Sequence, residues 1–506
     1  MLSFSDIHLD IIYRIIYWYT RRAVTDLAEW KNALSILSVC STWRQYGVKL
    51  MYSNAFIVDR NFYIIYSQSA TNKKSAYNPD YPYAASNLGL IKTHGYCSDV
   101  KRLAVMPGDS EDLLDIVCYI NYFVGATEAT CPGTDMLMGY DSDNDISFST
   151  YRVDPMFGSI SHCLSLMLKE KLPKVSSLDI YHTGSSSRYY QFIPDILNAY
   201  LNQLICARYI GHAYLNSVGS NSLKSLTLLL SFFNSASRNP TISLHSLQKL
   251  FLQTDSQPID WSFFESDEFG RVSCETLESL TILADPGQLP EAPSRWSHVN
   301  FPNLKHLAIA NQQIHEADVE QIFRSPLQSL ELHGLPSKSL LYCQQDISKL
   351  HKLTLDYQPR TFGKIAPQDF VAYTSDILAC AANINHVYLK VDVRGHYFKS
   401  QFNWANLTHL NVSLLDDIAQ TLCATAYMPD LCELHVHMYS PFADYEKESK
   451  WIDELKATYP QPSASKIMNL KIYISRQAFA DSLKASLENA LCLFPRLCVC
   501  DISIVE

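Results

Sequence analysis

Along most of this chain the apolar residues recur in one six-residue phrase, apolar-x-x-apolar-x-apolar. It reads Val100-Leu103-Val105, Val175-Leu178-Ile180, Leu201-Leu204-Cys206, Leu223-Leu226-Leu228, Leu247-Leu250-Leu252 and Leu277-Leu280-Ile282. It continues as Leu304-Leu307-Ile309, Leu327-Leu330-Leu332, Leu350-Leu353-Leu355, Ile384-Val387-Leu389, Leu407-Leu410-Val412, Leu431-Leu434-Val436 and Leu497-Cys500-Ile502, with a partial copy at Leu470-Ile472. From Leu178 to Leu434 the middle residues stand 22 to 34 positions apart. Alternate residues of a strand point to opposite faces. The phrase therefore predicts a short strand whose fourth and sixth positions point inward, with the first packed beneath it. One such unit cannot hide its apolar side chains alone, so the units must stack.

Between the strands, apolar residues at helical spacing predict helices over 110–123, 317–323, 369–381, 415–426, 445–459 and 478–491. Asp416 and Asp417 place negative charge in the first turn of one of them, where the helix dipole favours it. Strands alternating with helices imply a parallel sheet with helices outside it. The step from 103 to 178 is long enough to hide a further unit, and it contains a polar loop over 132–150. Long insertions fall near 110–170, 360–380 and 440–465.

This phrase and its period resemble the leucine-rich-repeat class, whose repeats run roughly 20–29 residues. The class usually places Asn or Cys three positions after the phrase. Here those positions hold Ser231, Asp255, Asp285, Gln312, Leu335, Gln358 and Leu415, so the buried asparagine ladder is missing. The resemblance implies an α/β leucine-rich-repeat solenoid over 100–506, an irregular horseshoe with its parallel sheet on the concave face. Residues 61–99 then connect it to, and cap it against, an α-helical head over 1–60.

At 506 residues the chain exceeds what one closed core usually supports, roughly 250–300 residues, but a repeat array escapes that limit. Apolar residues make up 47% and charged residues 18%, ample material for burial. A net charge of −10 argues against a nucleic-acid partner, which needs a basic face. No run of about 18 apolar residues suggests a membrane span. Asp6, Asp10 and Arg14 interrupt the first apolar stretch, unlike a signal peptide. The fourteen cysteines lack framework spacing and read as reduced, mostly buried thiols of a cytoplasmic or nuclear protein. The sequons at Asn406 and Asn411 are then accidental.

The head differs in kind. Leu9, Ile12, Ile15 and Ile16 follow helical spacing, with Ser5 or Asp6 as cap, and a second helical stretch covers 33–44. So small a unit needs the repeats or a partner to complete its burial. Leu37-x-Val39-Cys40-x-x-Trp43-Arg44 resembles the second half of an F-box, and Phe4 through Ile16 its first half. Ser5 replaces the usual proline, and the insert between the halves is longer than usual. The resemblance implies a substrate receptor of a cullin-based ubiquitin ligase. Leu9, Ile12, Leu37, Val39 and Trp43 would face a Skp-type adaptor, and the repeats would hold the target protein. From the residues alone, the head reads equally as a helical cap on a non-enzymatic leucine-rich-repeat scaffold with no ubiquitin role.

No motif of catalysis stands out: there is no glycine-rich phosphate loop, GxSxG elbow or zinc-protease helix, so no enzyme and no cofactor is expected. Asp141-x-Asp143-x-Asp145 opens like a calcium loop, but Ile146 and Arg152 stand where such a loop needs Gly and Glu. The informative surface is formed by the third, fifth and seventh places of each phrase, which point outward. They hold His306, Glu331, His333, Lys352, Asp356, His386, Lys390, His409, Asn411, Glu433, His435 and His437, six of the chain's sixteen histidines. Earlier units place Ser225, Thr227, Leu229, Lys249 and Phe251 there. His435 and His437, with Glu433, share one strand face, which reads as a polar surface rather than a metal site. Cys498 and Cys500 are expected to pack in the core. The histidine-bearing face is the expected partner-binding surface, with affinity that changes near pH 6–7.

Overall fold

The structure is a computed structural model. It describes residues 41–59, 84–106, 112–127, 129–132, 155–180, 192–211, 222–229, 244–254, 259, 261, 264–266, 271–284, 296, 299–310, 322, 324–333, 349–356, 384–393, 406–414, 425, 428–438, 466–474, 494 and 496–504. The chain divides into two compact units, Met1–Leu252 with Ser262–Ser266, and Gln253–Trp261 with Asp267–Glu506.

In unit 1, helix α1 (Ser41–Tyr52) runs through one residue into strand β1 (Asn54–Asp59), which β2 (Ala84–Ser86) flanks antiparallel. Then follow α2 (Leu88–Thr93), β3 (Arg102–Met106), α3 (Asp112–Val124), α4 (Pro155–Lys171), β4 (Ser177–Ile180), α5 (Phe192–Tyr200), β5 (Cys206–Gly211), β6 (Ser225–Leu229) and β7 (Lys249–Thr254). β1 and β3 to β6 form one parallel ladder in chain order. The helices bury apolar stripes at three- and four-residue spacing: Ile116, Ile120 and Phe123 on α3; Ile160, Leu164 and Leu168 on α4; Phe192, Ile193, Ile196 and Tyr200 on α5. Pro155 opens α4, where a missing N–H costs nothing. Gly125, at φ 70°, ends α3 in the left-handed conformation that glycine tolerates best. Ser161 of α4 donates to Asp195 of α5, and both are buried.

Unit 2 contains β8 (Val272–Ser273), β9 (Ser279–Ala284), β10 (Val299–Asn300), β11 (His306–Ala310), β12 (Ser329–His333) and β13 (Lys352–Asp356). Beyond these lie β14 (His386–Val393), β15 (His409–Leu414), β16 (Glu433–Met438), β17 (Asn469–Ile474) and β18 (Val499–Ile504). β9 and β11 to β18 pair parallel in chain order, while β8 and β10 make a separate two-residue ladder. Beside that ladder Trp261 meets Trp296 edge-on at 5.7 Å.

Both units are parallel-strand repeat solenoids, and the phrase sets their register. Leu307, Leu330, Leu353, Val387, Leu410, Leu434, Leu470 and Cys500 lie opposite one another on successive strands. The first-place residues Val100, Val175, Leu223, Leu277, Leu350 and Leu431 are buried, as the phrase predicts. Each fully buried leucine contributes roughly 1.5–3 kcal/mol.

A backbone device ties successive strands where they begin. The carbonyl of a second-place residue accepts two N–H groups from the next unit: Lys101 O from Ser176 and Ser177, Gln328 O from His351 and Lys352, Thr408 O from Cys432 and Glu433. A carbonyl has two lone pairs, so this single acceptor ties the entering strand without a side chain.

Five expectations need correction. The ladder begins before Val100: Ala55 and Ile57 of β1 lie opposite Leu103 and Val105, so the first phrase is Tyr52-x-x-Ala55-x-Ile57, disguised by its tyrosine and alanine. The third phrase is shifted by three residues. Ala207, not Leu204, lies opposite Leu178 and Leu226, and Leu204 is the buried first-place residue. No unit hides between 103 and 178, because β3 pairs directly with β4; the interval carries α3 and α4. The helix expected over 110–123 matches α3, whereas α4 and α5 fall outside the expected helices although their apolar residues stand at helical spacing, and the regions 369–381, 445–459 and 478–491 lie outside the described residues. Finally, of the eight described cysteines, all free, Cys131 and Cys274 are buried, and Cys498 and Cys500 are exposed. β18 is the edge strand of the sheet, so an inward-phase position there has a neighbouring strand on one side only.

Candidate functional site

On unit 2 the outward positions form rows across the strands, since register aligns equal places of the phrase. The third places run His306, Ser329, Lys352, His386, His409, Glu433 and Asn469. The fifth places run Ala308, Glu331, Thr354, Tyr388, Asn411, His435 and Lys471. In the seventh places His333, Asp356 and Lys390 align, as do His437 and Tyr473; a register shift between Leu389 and Val393 separates the two runs. The side chains of Asp356 and Lys390 lie outside the described residues.

Three groupings result. At the first, Lys352 pairs with Glu331 Oε1, and His333 Nε2 lies 4.0 Å from Oε2. His333 and Lys352 together hold the Glu331 carboxyl down at about 2, against a half-burial that alone would raise it. This grouping is internally satisfied. It borders an open depression of about 420 Å³ floored by Ser279, Thr281, Ala308 and Ser329.

The second grouping centres on His409. Its ring stacks on His386 at 4.0 Å between centroids and 28° between planes. Its Nδ1 is 2.8 Å from Thr408 Oγ1, and that hydroxyl donates its one proton to Asn385 O at 3.0 Å. Thr408 Oγ1 is thereby placed to accept from His409 Nδ1–H, an arrangement that leaves Nε2 as an acceptor. Nε2 faces Glu433 Oε2 at 3.7 Å. Burial, then the neighbouring His409 and Lys352, push the His386 pKa down, with Glu433 opposing. Burial and Lys471 lower that of His435, again against Glu433. Asn411 Oδ1 and His435 Nε2 are buried without a hydrogen-bond partner. These residues line a depression of about 170 Å³.

In the third grouping His437 stacks on Tyr473 at 4.4 Å and 15°. No three His, Cys, Asp or Glu side chains among the described residues are arranged to hold a metal. His306 is an exposed residue beside the larger depression, away from the His409 grouping.

The outward face of unit 1 holds a cluster that the repeat pattern does not reveal. Asp179, with a side-chain exposure of 0%, pairs with both Arg102 and Arg208, the latter at 2.8 Å. Arg208 is a fifth-place residue once the third phrase is moved to its true register, opposite Asp179; the three-residue slip conceals it.

Of the residues expected to face an adaptor, Leu9, Ile12, Leu37 and Val39 lie outside the described residues. Trp43 belongs to α1, but its side chain also lies outside them; Arg44 is exposed. No helix among the described residues is long and apolar enough to cross a membrane.

No family model matches the chain. No curated protein matches it either. Among solved structures, it is similar to a chain in the crystal structure of a TLR13–ssRNA13 complex, with 14% identity and a TM-score of 0.31. That match covers 64% of this chain and 48% of the other, so the chain spans about half the length of this neighbour, and likeness at that level bears neither on fold nor on function.

Proposed function

We propose that this protein is a non-enzymatic recognition subunit of a cullin-based ubiquitin ligase. Its repeats hold a target protein across the outward face of unit 2, and its N-terminal segment holds a Skp-type adaptor. One observation carries the binding half of this reading: the His409 grouping leaves Asn411 Oδ1 and His435 Nε2 buried without partners. Buried polar groups are nearly always paired, and these two belong to residues lining a surface depression, where a bound partner can supply what is missing. The adaptor half rests on the resemblance of Leu37 through Arg44 to an F-box.

A specific observation favours a second reading for the head. α1, which carries Trp43 and Arg44, runs into β1 through Ser53 alone, and Tyr52 stacks on Tyr96 at 4.9 Å. A helix so joined to the first repeat serves as the cap that a solenoid end requires, and the protein is then a scaffold with no ubiquitin role.

Mixing the full chain with a Skp-type adaptor separates the two. Retention of the adaptor at one-to-one stoichiometry, lost in a chain beginning at Ser41, supports the ligase reading. No retention by the full chain leaves the scaffold. In either case, replacing His386, His409 and His435 by Ala should abolish binding of the target and leave the adaptor bound; unchanged target binding would remove this face as the site.

A further inference from the structure

We infer that the depression between β14, β15 and β16 binds an arginine side chain of the partner protein, its guanidinium donating to His409 Nε2 and the Glu433 carboxylate. The inference rests on the proposal that this face takes a partner, and it names the chemistry recognised.

The lining of the depression presents several acceptor atoms that no side chain among the described residues answers. With Thr408 placed to accept from His409 Nδ1–H, the neutral ring presents a lone pair at Nε2. Glu433 faces that lone pair at 3.7 Å, and among the described residues no lysine or arginine pairs with it. Asn411 Oδ1 and His435 Nε2 add two more unpartnered atoms to the same wall. Lys352, the lysine on this wall, is engaged by Glu331 at the far end. Two facing acceptors repel unless a donor or a proton comes between them.

A guanidinium supplies five N–H donors and no acceptor, in a flat fork. Flatness matters because the His386–His409 stack offers a planar wall, with Tyr388 beside it. The fork matters because it can present separate N–H groups to His409 Nε2 and Glu433 Oε2, which stand 3.7 Å apart. A lysine ammonium would meet the charge but not the planar wall. An anion would meet the Glu433 carboxylate and an unpaired amide oxygen, and would be repelled.

The test uses the full chain with ring-¹³C-labelled histidine and N-acetyl-arginine amide as probe. Histidine signals are assigned by single His→Gln variants. At pH 7.5 the probe should shift the signals of His386, His409 and His435 saturably while leaving His306 unmoved. Binding should be at least tenfold weaker in Glu433→Gln. Thr408→Val, which frees the tautomer without touching the carboxylate, should weaken it as well, and the unchanged His306 signal reports that both variants remain folded. The inference is overturned if the probe shifts nothing, if Glu433→Gln responds like the parent, or if N-acetyl-lysine amide or inorganic phosphate binds as well. Should the probe fail while the triple alanine variant still loses the target, this inference falls and the proposed binding face stands. Should the probe bind while target binding survives that variant, the reverse holds.

Discussion

On the outward face of unit 1, Asp179 is wholly buried between Arg102 and Arg208, while on that of unit 2 Glu433 keeps 40% of its side chain exposed and faces a histidine at 3.7 Å. Both carboxylates occupy strand positions that a solenoid turns away from its core. In unit 1 the charge is answered within the molecule, so the cluster holds three strands in place and offers a ligand little. Beside Glu433 the answering group is an imidazole, whose charge depends on pH, and on that face Asn411 Oδ1, His435 Nε2 and Asn469 Oδ1 are buried without partners, where the face of unit 1 has Ser177 Oγ. The same backbone therefore builds a closed face in one unit and an open one in the other, and the difference lies in which residues fill the third and fifth places.

The largest test breaks the closed face. Asp179→Asn leaves two partly buried guanidiniums around a neutral amide, and breaking a buried ion pair from one side costs about 3 kcal/mol or more. Chemical denaturation should show the loss in the transition of unit 1. A loss below about 1 kcal/mol would mean that the cluster is solvated and that the contrast with unit 2 is empty.

A smaller effect is expected at Glu331, a carboxylate of the unit 2 face that is answered internally, by Lys352 and His333. Its pKa is lowered from 4.5 to about 2 in the folded state. The stabilisation from a lowered carboxylate is present above pH 4.5 and is lost as pH falls toward 2. Because the group is half-exposed, solvent screening leaves about 1 kcal/mol of it. Glu331→Gln should lower stability by that amount at pH 7 and by almost nothing at pH 2. An equal loss at both would show that the side chain acts through packing rather than charge.

Part of this contrast is legible in the amino-acid sequence, and the part that is not has physical causes. A phrase with leucine at most inward positions fixes strand register, so His386 beside His409, and Glu433 on its other side, follow from counting residues. The stacking of the two rings and the proton on Nδ1 do not, because they depend on the Thr408 hydroxyl turning toward Asn385 O. Asp179 and its arginines are hidden by one ambiguous apolar run, in which Leu201, Leu204 and Cys206 imitate the phrase three residues early. Burial separates the frames: Leu204 is 1% exposed and Ile205 50%. Tyr52 and Ala55 conceal the first strand for the opposite reason, since neither looks like a repeat leucine although Ala55 is fully buried.

The finest test concerns how the open face responds to acid. Folding lowers the pKa of both His386 and His435 from 6.5, through burial first and then through neighbouring positive charge. Between the lowered values and 6.5 the unfolded chain binds more protons than the folded one, so these two residues make stability rise with pH across that interval. Their contribution is complete above pH 6.5 and declines as the pH falls below it. Both are partly exposed, so the change is a shallow slope in melting temperature rather than a collapse. Replacing His386 and His435 together by Gln should flatten that slope between pH 7 and pH 5 and leave the melting temperature at pH 8 nearly unchanged. A slope that survives both replacements would assign acid sensitivity to groups elsewhere in the chain. A slope of opposite sign would mean that Glu433, which pulls both values upward, outweighs burial, and the face would then close rather than loosen as it is acidified.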